Sequence, residues 1–352
     1  MFPEPELVDS TGVLSYTIKV EFIVKVKVAE FFDRQARSLS YLQKMRAIHE
    51  EMIQYLRRFG VEVNEYRSYE ADLQAWTVER GSAVSVDDVS DVDYGSEEWG
   101  FFEVKLASPV LPYYRLSMFE VERVLLLIKD EYTTIINKSC TLTVHVGHIE
   151  DEPYLETYES YGFCLPAVQT LLQLLWKYEA QINAIHPEHR IQGNPRSLPP
   201  SKMLEYMLSR TIMERICDCR DMNALHQLWE GGLSSEQIRQ RVAAYSIRGL
   251  TGIPGSDTHT GTIRFGQHQA TLEFDDIKNW VWFVGSLVQL AVERGPCGVP
   301  LTLMGLGGYT RQVPLSEVSA IHFIKKIAKK DQYLFYKEQL GDYYYFDDPD
   351  DF

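Results

Sequence analysis

One long run of strict alternation constrains the fold more than any other feature of this sequence. From residue 16 to residue 28, every even-numbered position is apolar or aromatic, whereas the odd-numbered positions include the charged Lys19, Glu21, Lys25 and Lys27. A period of two places the apolar side chains on one face of a β-strand and the charged ones on the other. This segment therefore predicts a long strand with one buried face and one polar face.

Shorter segments repeat this alternation, and helical periodicity fills the spaces between them. The predicted strands and helices are strands at 16–28, 102–106, 142–146 and 263–265, and helices at 29–59, 117–136, 167–185, 202–216, 235–244, 276–294 and 317–340. A capping box of Ser117 and Glu120 is predicted to open the second helix. One-sided strands joined by hairpin-length or helix-length segments favour an α+β protein with a mostly antiparallel sheet and helices on its apolar side. We expect one domain over residues 1–340.

The net charge is strongly negative but concentrated. The chain has 35 basic and 50 acidic residues, a formal charge of −15. Eleven of these acids lie in two segments, an acidic loop predicted at 85–99 and a mobile acidic tail predicted at 341–352. Binding to nucleic acid or to an anionic membrane requires a surplus of lysine and arginine. The balance of charges therefore predicts neither partner, and it leaves the oligomeric state open.

The compartment follows from two further observations. No basic start followed by an apolar stretch resembles a secretory signal, and no run of eighteen apolar residues is present, which together predict a cytoplasmic protein. The five cysteines are odd in number and scattered, which favours reduced thiols over a disulfide framework.

The polar faces of the predicted strands define a possible site. If the strands share one sheet, they project a common set of side chains: Lys19, Glu21, Lys105, Thr143, His145, Arg264 and possibly His268. Such a surface is either the floor of a cleft or an ordinary solvated sheet face. Alternation alone leaves both readings open.

Four segments resemble the successive motifs of the fungal amidoligase-like family. They lie at 76–82, 105–111, 140–147 and 262–272, in the family's order. Members are predicted carboxylate–amine ligases related in fold to gamma-glutamylcysteine ligase and glutamine synthetase. The resemblance implies a curved antiparallel sheet that forms a funnel, with helices packed on its outer face. In that funnel Mg-ATP and a carboxylate would meet, and an amine would capture the acyl phosphate.

The sequence departs from this family at the motif positions that usually hold acids. Four of those positions are basic here: Lys19, Arg80, Lys105 and Arg264. Ammonium and guanidinium groups offer no lone pair to Mg²⁺, which leaves Glu21 and His145 as the only obvious metal ligands. We therefore expect no metal ion and no cofactor, and we expect an anionic small molecule as the ligand.

Roles for the individual side chains follow from this interpretation. Clustered cations would lower one another's pKa, so Lys19 or Lys105 is a candidate nucleophile or base, with Glu21 as the acid. His145 or His268 is a candidate proton shuttle. The candidate substrate-binding residues are Arg80, Ser82, Ser108, Arg264 and Gln267. The alternatives are lysines at a sheet edge, a plain Glu21–Arg264 ion pair and a core histidine at position 145.

Three functions remain compatible with the sequence. The first is an amidoligase-fold enzyme repurposed for metal-independent chemistry on an anionic small molecule, in a setting such as secondary metabolism. The second is a working ATP-dependent ligase that uses ATP and Mg²⁺ to form an amide bond. The third is a non-catalytic relative that binds a ligand or a partner. The site decides between them, because a fold alone does not specify a function.

Overall fold

The computed structural model describes most of the chain between residues 13 and 341. The predicted acidic loop up to Glu98, the tail beyond Gly341, the candidate Ser82 and most of the predicted helix 235–244 lie outside that part. The described residues are 13–32, 38–64, 74–81, 99–149, 162–192, 197–205, 207, 209–231, 242–251, 261–294 and 311–341.

The described part of the chain is built around a single sheet whose strands differ in length. Its strands are β1 (Val13–Lys27), β2 (Thr77–Glu79), β3 (Trp99–Ala107), β4 (Leu111–Pro112), β5 (Thr133–Ile135), β6 (Leu142–Ile149), β7 (Tyr245–Ser246) and β8 (Ile263–Phe265). Their order is β2-β3-β1-β6-β8-β7, and β4 and β5 also pair with β1. Every strand pair is antiparallel. The predicted mostly antiparallel sheet of an α+β protein is therefore confirmed.

Helices cover the apolar face of this sheet. The described helices are α1 (Val28–Phe31), α2 (Tyr41–Arg58), α3 (Ser117–Glu131), α4 (Leu165–Lys177), α5 (Glu179–Asn183), α6 (Glu188–Ile191), α7 (Pro200–Met203), α8 (Ser209–Asp218), α9 (Met222–Glu230), α10 (Phe274–Arg294), α11 (Ala320–Ile327) and α12 (Lys330–Leu340). Helix α10 packs against β1 and β6. The even-numbered side chains Ile18, Val20 and Val144 are completely buried. None of the described helices is long and apolar enough to cross a membrane.

Several predicted helix boundaries are wrong. The helix predicted at 117–136 ends at Glu131, and Thr133–Ile135 instead forms β5 against β1. Ser117 does not cap this helix, because its hydroxyl lies 2.8 Å from the carbonyl oxygens of Pro112 and Tyr114. The helical period of 3.6 residues continues by chance through this short strand. Periodicity alone therefore cannot distinguish the strand from the end of the helix.

Other predicted helices are interrupted rather than absent. The segment predicted at 29–59 contains α1 and then α2, which begins after Ser40 with a true capping box to Gln43. The segment predicted at 317–340 divides into α11 and α12, and the one at 202–216 contains the end of α7 and then α8, which begins at Ser209. The prediction of two helical segments at 167–185 and 276–294 is confirmed with a break at Tyr178 in the first.

Helix α2 covers the edge of β3 that β2 leaves open. The Tyr41 hydroxyl lies 3.2 Å from the carbonyl oxygen of Phe101, and the His49 ring nitrogen Nε2 lies 2.8 Å from that of Glu103. An uncovered strand edge can pair with another chain, so side chains that occupy its carbonyls reduce that risk.

A glycine in α10 allows the loop before α3 to pack tightly against that helix. The Tyr113 hydroxyl donates a hydrogen bond to the carbonyl oxygen of Trp282 at 2.7 Å, and the centroids of the Tyr113 and Trp282 rings are 4.4 Å apart. A Cβ atom at Gly285 would lie far closer to Cε2 and Cζ of Tyr113 than two carbon atoms can pack. The absence of a side chain at position 285 is therefore a packing requirement.

We expect Gly285→Ala to destabilise the protein by about 1–3 kcal/mol, because the new methyl group overlaps the Tyr113 ring. Urea unfolding would measure the change. Gly162→Ala is the control, since a Cβ atom there meets nothing within 4 Å. The double variant with Tyr113→Leu should recover part of the loss; equal destabilisation in the single and double variants would contradict the overlap.

Candidate functional site

Strand register places the polar side chains of β1 and its neighbours on one surface, called the polar face below. Directly opposed residues in antiparallel strands project to the same side of a sheet. The polar face consists of three cross-strand rows: Glu79, Lys105 and Glu21; then Thr77, Ala107, Lys19 and Thr143; then Thr17, His145, Arg264 and Ser246. The structure thus brings together five of the predicted site residues: Glu21, Lys19, Lys105, His145 and Arg264.

The polar face is buried at its centre. Glu21 is 4% exposed, His145 3% and Thr143 8%. A solvated sheet face would leave such side chains largely in water. The polar face is therefore not an ordinary solvated surface, and its buried groups need hydrogen-bond partners to offset the cost of desolvation.

Glu21 has such a partner on the neighbouring chain segment. The Thr141 hydroxyl donates to Glu21 Oε2 at 2.6 Å, and the Glu21 backbone N–H donates to the Thr141 carbonyl oxygen at 3.0 Å. Thr141 lies directly before β6, so the end of that strand fixes the carboxylate in place. The result is a buried, oriented carboxylate at the centre of the sheet.

Two acids that the sequence analysis did not assign to the site lie beside two of the predicted bases. Lys105 Nζ lies 2.5 Å from Glu79 Oε2, and Arg80 Nη2 lies 3.5 Å from Glu103 Oε1. Glu103 is 4% exposed and accepts a short hydrogen bond from the Tyr41 hydroxyl. Glu79 is itself a polar-face residue and Glu103 lies two residues before Lys105 on β3, so the period of two was the signal that could have found them.

The four predicted cations are not surrounded by other cations alone. Lys105 and Arg80 each have an acidic partner, and these carboxylates offset the repulsion expected among neighbouring cations. The register also separates Lys105 from Arg264 by two strands and two rows. The polar face is a surface of mixed charge.

The third row holds His145 and Arg264. His145 Nδ1 lies 3.3 Å from the hydroxyl of Thr262, and Arg264 Nη2 donates to the Ala243 carbonyl oxygen at 2.6 Å. A Cβ atom at Gly266 would come within 3.1 Å of Arg264 Nη1. Glycine at that position gives the guanidinium room to lie along the sheet.

Gln267 and His268 do not lie on the polar face. Gln267 is completely buried, with its amide nitrogen 2.6 Å from Asn183 Oδ1 and its amide oxygen bonded by the Tyr245 hydroxyl. The His268 ring packs 5.3 Å from the ring of Trp280, a core residue. The strand alternation ends at Phe265, which is why the predicted substrate-binding and proton-shuttle roles do not follow for these two residues.

Ser108 is a structural residue at the end of β3. It is 6% exposed, accepts a hydrogen bond from the backbone N–H of Ile18 at 3.0 Å and donates to the Pro109 carbonyl oxygen at 2.9 Å. The hydroxyl thus acts both as an acceptor and as a donor, and these two hydrogen bonds hold the chain as it leaves β3. The prediction that Ser108 binds substrate is therefore not supported by its contacts.

The acid–base surroundings of Glu21 extend to Cys140. Burial raises the pKa of the Cys140 thiol to about 11, and the nearby Glu21 carboxylate acts in the same direction. Within the described ranges, no group of three or more histidine, cysteine or acidic side chains is arranged to hold a metal ion.

Neither the family models nor the curated proteins that were compared with this chain give a match.

The burial of Cys140 in the core predicts a clear difference between thiols at pH 8. With a pKa of about 11, about one Cys140 thiol in a thousand is ionised, so the folded protein should not be alkylated there. The exposed Cys217 should react and serves as the internal control. Mass spectrometry after iodoacetamide treatment would locate the adducts; labelling of Cys140 at the rate of Cys217 would contradict the burial.

Proposed function

We propose that this chain is an amidoligase-like enzyme that binds an anionic small molecule on the polar face and acts on it without a bound metal ion. The observation that carries the proposal is the row of Glu79, Lys105 and Glu21. A basic side chain stands between two carboxylates, of which Glu79 is exposed on the edge strand β2 and Glu21 is buried on the central strand β1.

Lys105 supplies in this row the positive charge that a metal ion supplies in a metal-dependent ligase. Its ammonium group contacts Glu79, and the strand register places Glu21 on its other side. Carboxylates that face each other without a cation repel, and a fixed lysine relieves this repulsion without a metal ion. The same lysine leaves less negative charge to attract Mg²⁺.

The basic part of the polar face is the proposed anion site. Lys19, His145 and Arg264 occupy the second and third rows, away from Glu79 and Glu103. Guanidinium and ammonium groups bind carboxylates and phosphates through charge-assisted hydrogen bonds, which are stronger inside a protein than in water.

Glu21 is the proposed acid–base residue of this site. It lies one row from the anion site, is buried, and has one carboxylate oxygen fixed by Thr141. Lys19 belongs to the anion site and lies next to Glu21 on the same face of β1. A bound anion that carries an acidic proton or a leaving group would therefore lie beside the Glu21 carboxylate. The motif resemblance and the antiparallel sheet with helices on one side support an amidoligase-like origin for this arrangement.

Calorimetry separates this function from the ligase alternative. We expect inorganic phosphate or a dicarboxylate such as succinate to bind in the presence of EDTA, and ATP to bind no more tightly when Mg²⁺ is added. Tight ATP binding that requires Mg²⁺ would replace the proposal with an ATP-dependent ligase. Binding of no anion at all would leave a non-catalytic relative as the better description.

Matched lysine variants test the location. Lys19→Ala should weaken anion binding at least about tenfold, because it removes one charge-assisted contact of about 1.5–3 kcal/mol. Lys25→Ala is the control, since Lys25 projects from the same face of β1 but lies against the ring of Trp99 at 4.3 Å. Equal losses in the two variants would indicate a general effect of charge and contradict the proposed site.

A further inference from the structure

We propose that His186, His268 and Arg190 form an acid-sensitive joint that holds the chain segment after β8 and, through it, the end of β6 beside Glu21. The segment consists of residues 266–270 and is called the post-β8 segment below. This proposal does not depend on the proposed function, because it concerns the stability of a contact between described elements.

His186 is the unusual member of the joint. It is 7% exposed, and its ring packs edge-on against Trp280 at 4.8 Å and against His268 at 5.5 Å. Neither of its ring nitrogens has a hydrogen-bond partner within the described residues. A neutral imidazole in this place loses two hydrogen bonds, whereas a protonated one would also bury an uncompensated charge, which costs far more.

The surrounding charges oppose protonation. From α6, the completely buried Arg190 brings a permanent positive charge, and His189 lies on the same helix. From the post-β8 segment, His268 faces His186 directly. From α10, the Asp276 carboxylate acts in the opposite direction on His268, but it accepts hydrogen bonds from Thr271 and Gln339 at 3.1 and 3.2 Å, and its effect is smaller than that of burial. Burial, with contributions from His268 and Arg190, holds the pKa of His186 well below its usual range.

Arg190 connects the joint to the sheet. Its guanidinium donates from Nε to the carbonyl oxygen of Gln267 at 2.8 Å and from Nη2 to that of Gly266 at 2.7 Å. A positive charge on His186 would therefore repel the group that clamps the post-β8 segment.

The post-β8 segment in turn holds the start of β6. The Leu142 backbone N–H donates to the His268 carbonyl oxygen at 3.2 Å, and the Ala270 N–H donates to that of Cys140 at 3.3 Å. Thr141, the hydrogen-bond partner of Glu21, lies between these two contacts. Opening of the joint would thus release the residue that orients the central carboxylate.

The sign of the pH dependence follows from the neutral folded state. An unfolded histidine has a pKa of about 6.5, and His186 and His268 are both lowered in the fold by burial. The joint is therefore fully stable above pH 6.5 and weakens as the pH falls below it, by about tenfold in its opening equilibrium per pH unit for each such histidine.

Hydrogen exchange of the full chain between pH 7.5 and 5.0, corrected for the intrinsic exchange rate, tests the joint. In the wild type, where both histidines contribute, protection of peptides covering 137–146 and 263–272 should fall about a hundredfold per pH unit below 6.5, while protection of α4 stays constant. His186→Phe keeps a ring against Trp280 and should reduce the pH dependence to at most half. His322→Phe, on α11, is the control and should behave as the wild type.

Three results would overturn the proposal: protection that does not change with pH, an equal fall in α4, or the full wild-type pH dependence in His186→Phe. If His186→Phe does not fold, the nitrogen chemical shifts of the wild-type histidines provide the second test. The His186 ring should remain neutral until the two peptides lose protection. Titration near pH 6.5 with protection intact would refute the joint.

Discussion

The pairing of β1 on both sides is the constraint on which the rest of the structure depends. This strand is 15 residues long and pairs with β3 along one edge and with β6 along the other. Because side chains alternate along a strand, a register shift of one residue would exchange the buried and polar sets. Completely buried Ile18, Val20 and Phe22 fix the register through the hydrophobic effect, and the positions of Lys19 and Glu21 follow from it.

The same constraint explains how much of the structure could be predicted. The four predicted strands, which correspond to β1, β3, β6 and β8, and their common sheet follow from alternation, and the main helices follow from a period of 3.6. The three-residue β8 was predicted because the alternation continues through Thr262 and Gly266 beside it, whereas β5 and β7, of three and two residues, are too short for a period to be recognised. They form because a longer strand offers them an edge, which is a property of the folded chain and not of their own sequence.

The candidate site was predictable where it lies on strands with a recognisable alternation and not beyond them. Lys19, Glu21, Lys105, His145 and Arg264 share the polar face because each occupies a regular strand position. Gln267 and His268 follow β8 in the sequence, but the chain turns toward the helices there and buries them among core residues. The acidic partners Glu79 and Glu103 were instead missed. A comparison of motifs identifies the residues that have been replaced, but it overlooks neighbouring residues that compensate for the replacement.

Arg190 has a consequence for how related chains could vary. It binds the carbonyl oxygens of residues 266 and 267, and these atoms are present whatever side chains those positions carry. An arginine that recognises the main chain can remain useful while the residues that it holds are replaced. Arg190 lies in a four-residue helix outside every motif described above, a location where substitutions are usually tolerated. Because of its contacts with the main chain, it should tolerate substitution less than this location suggests.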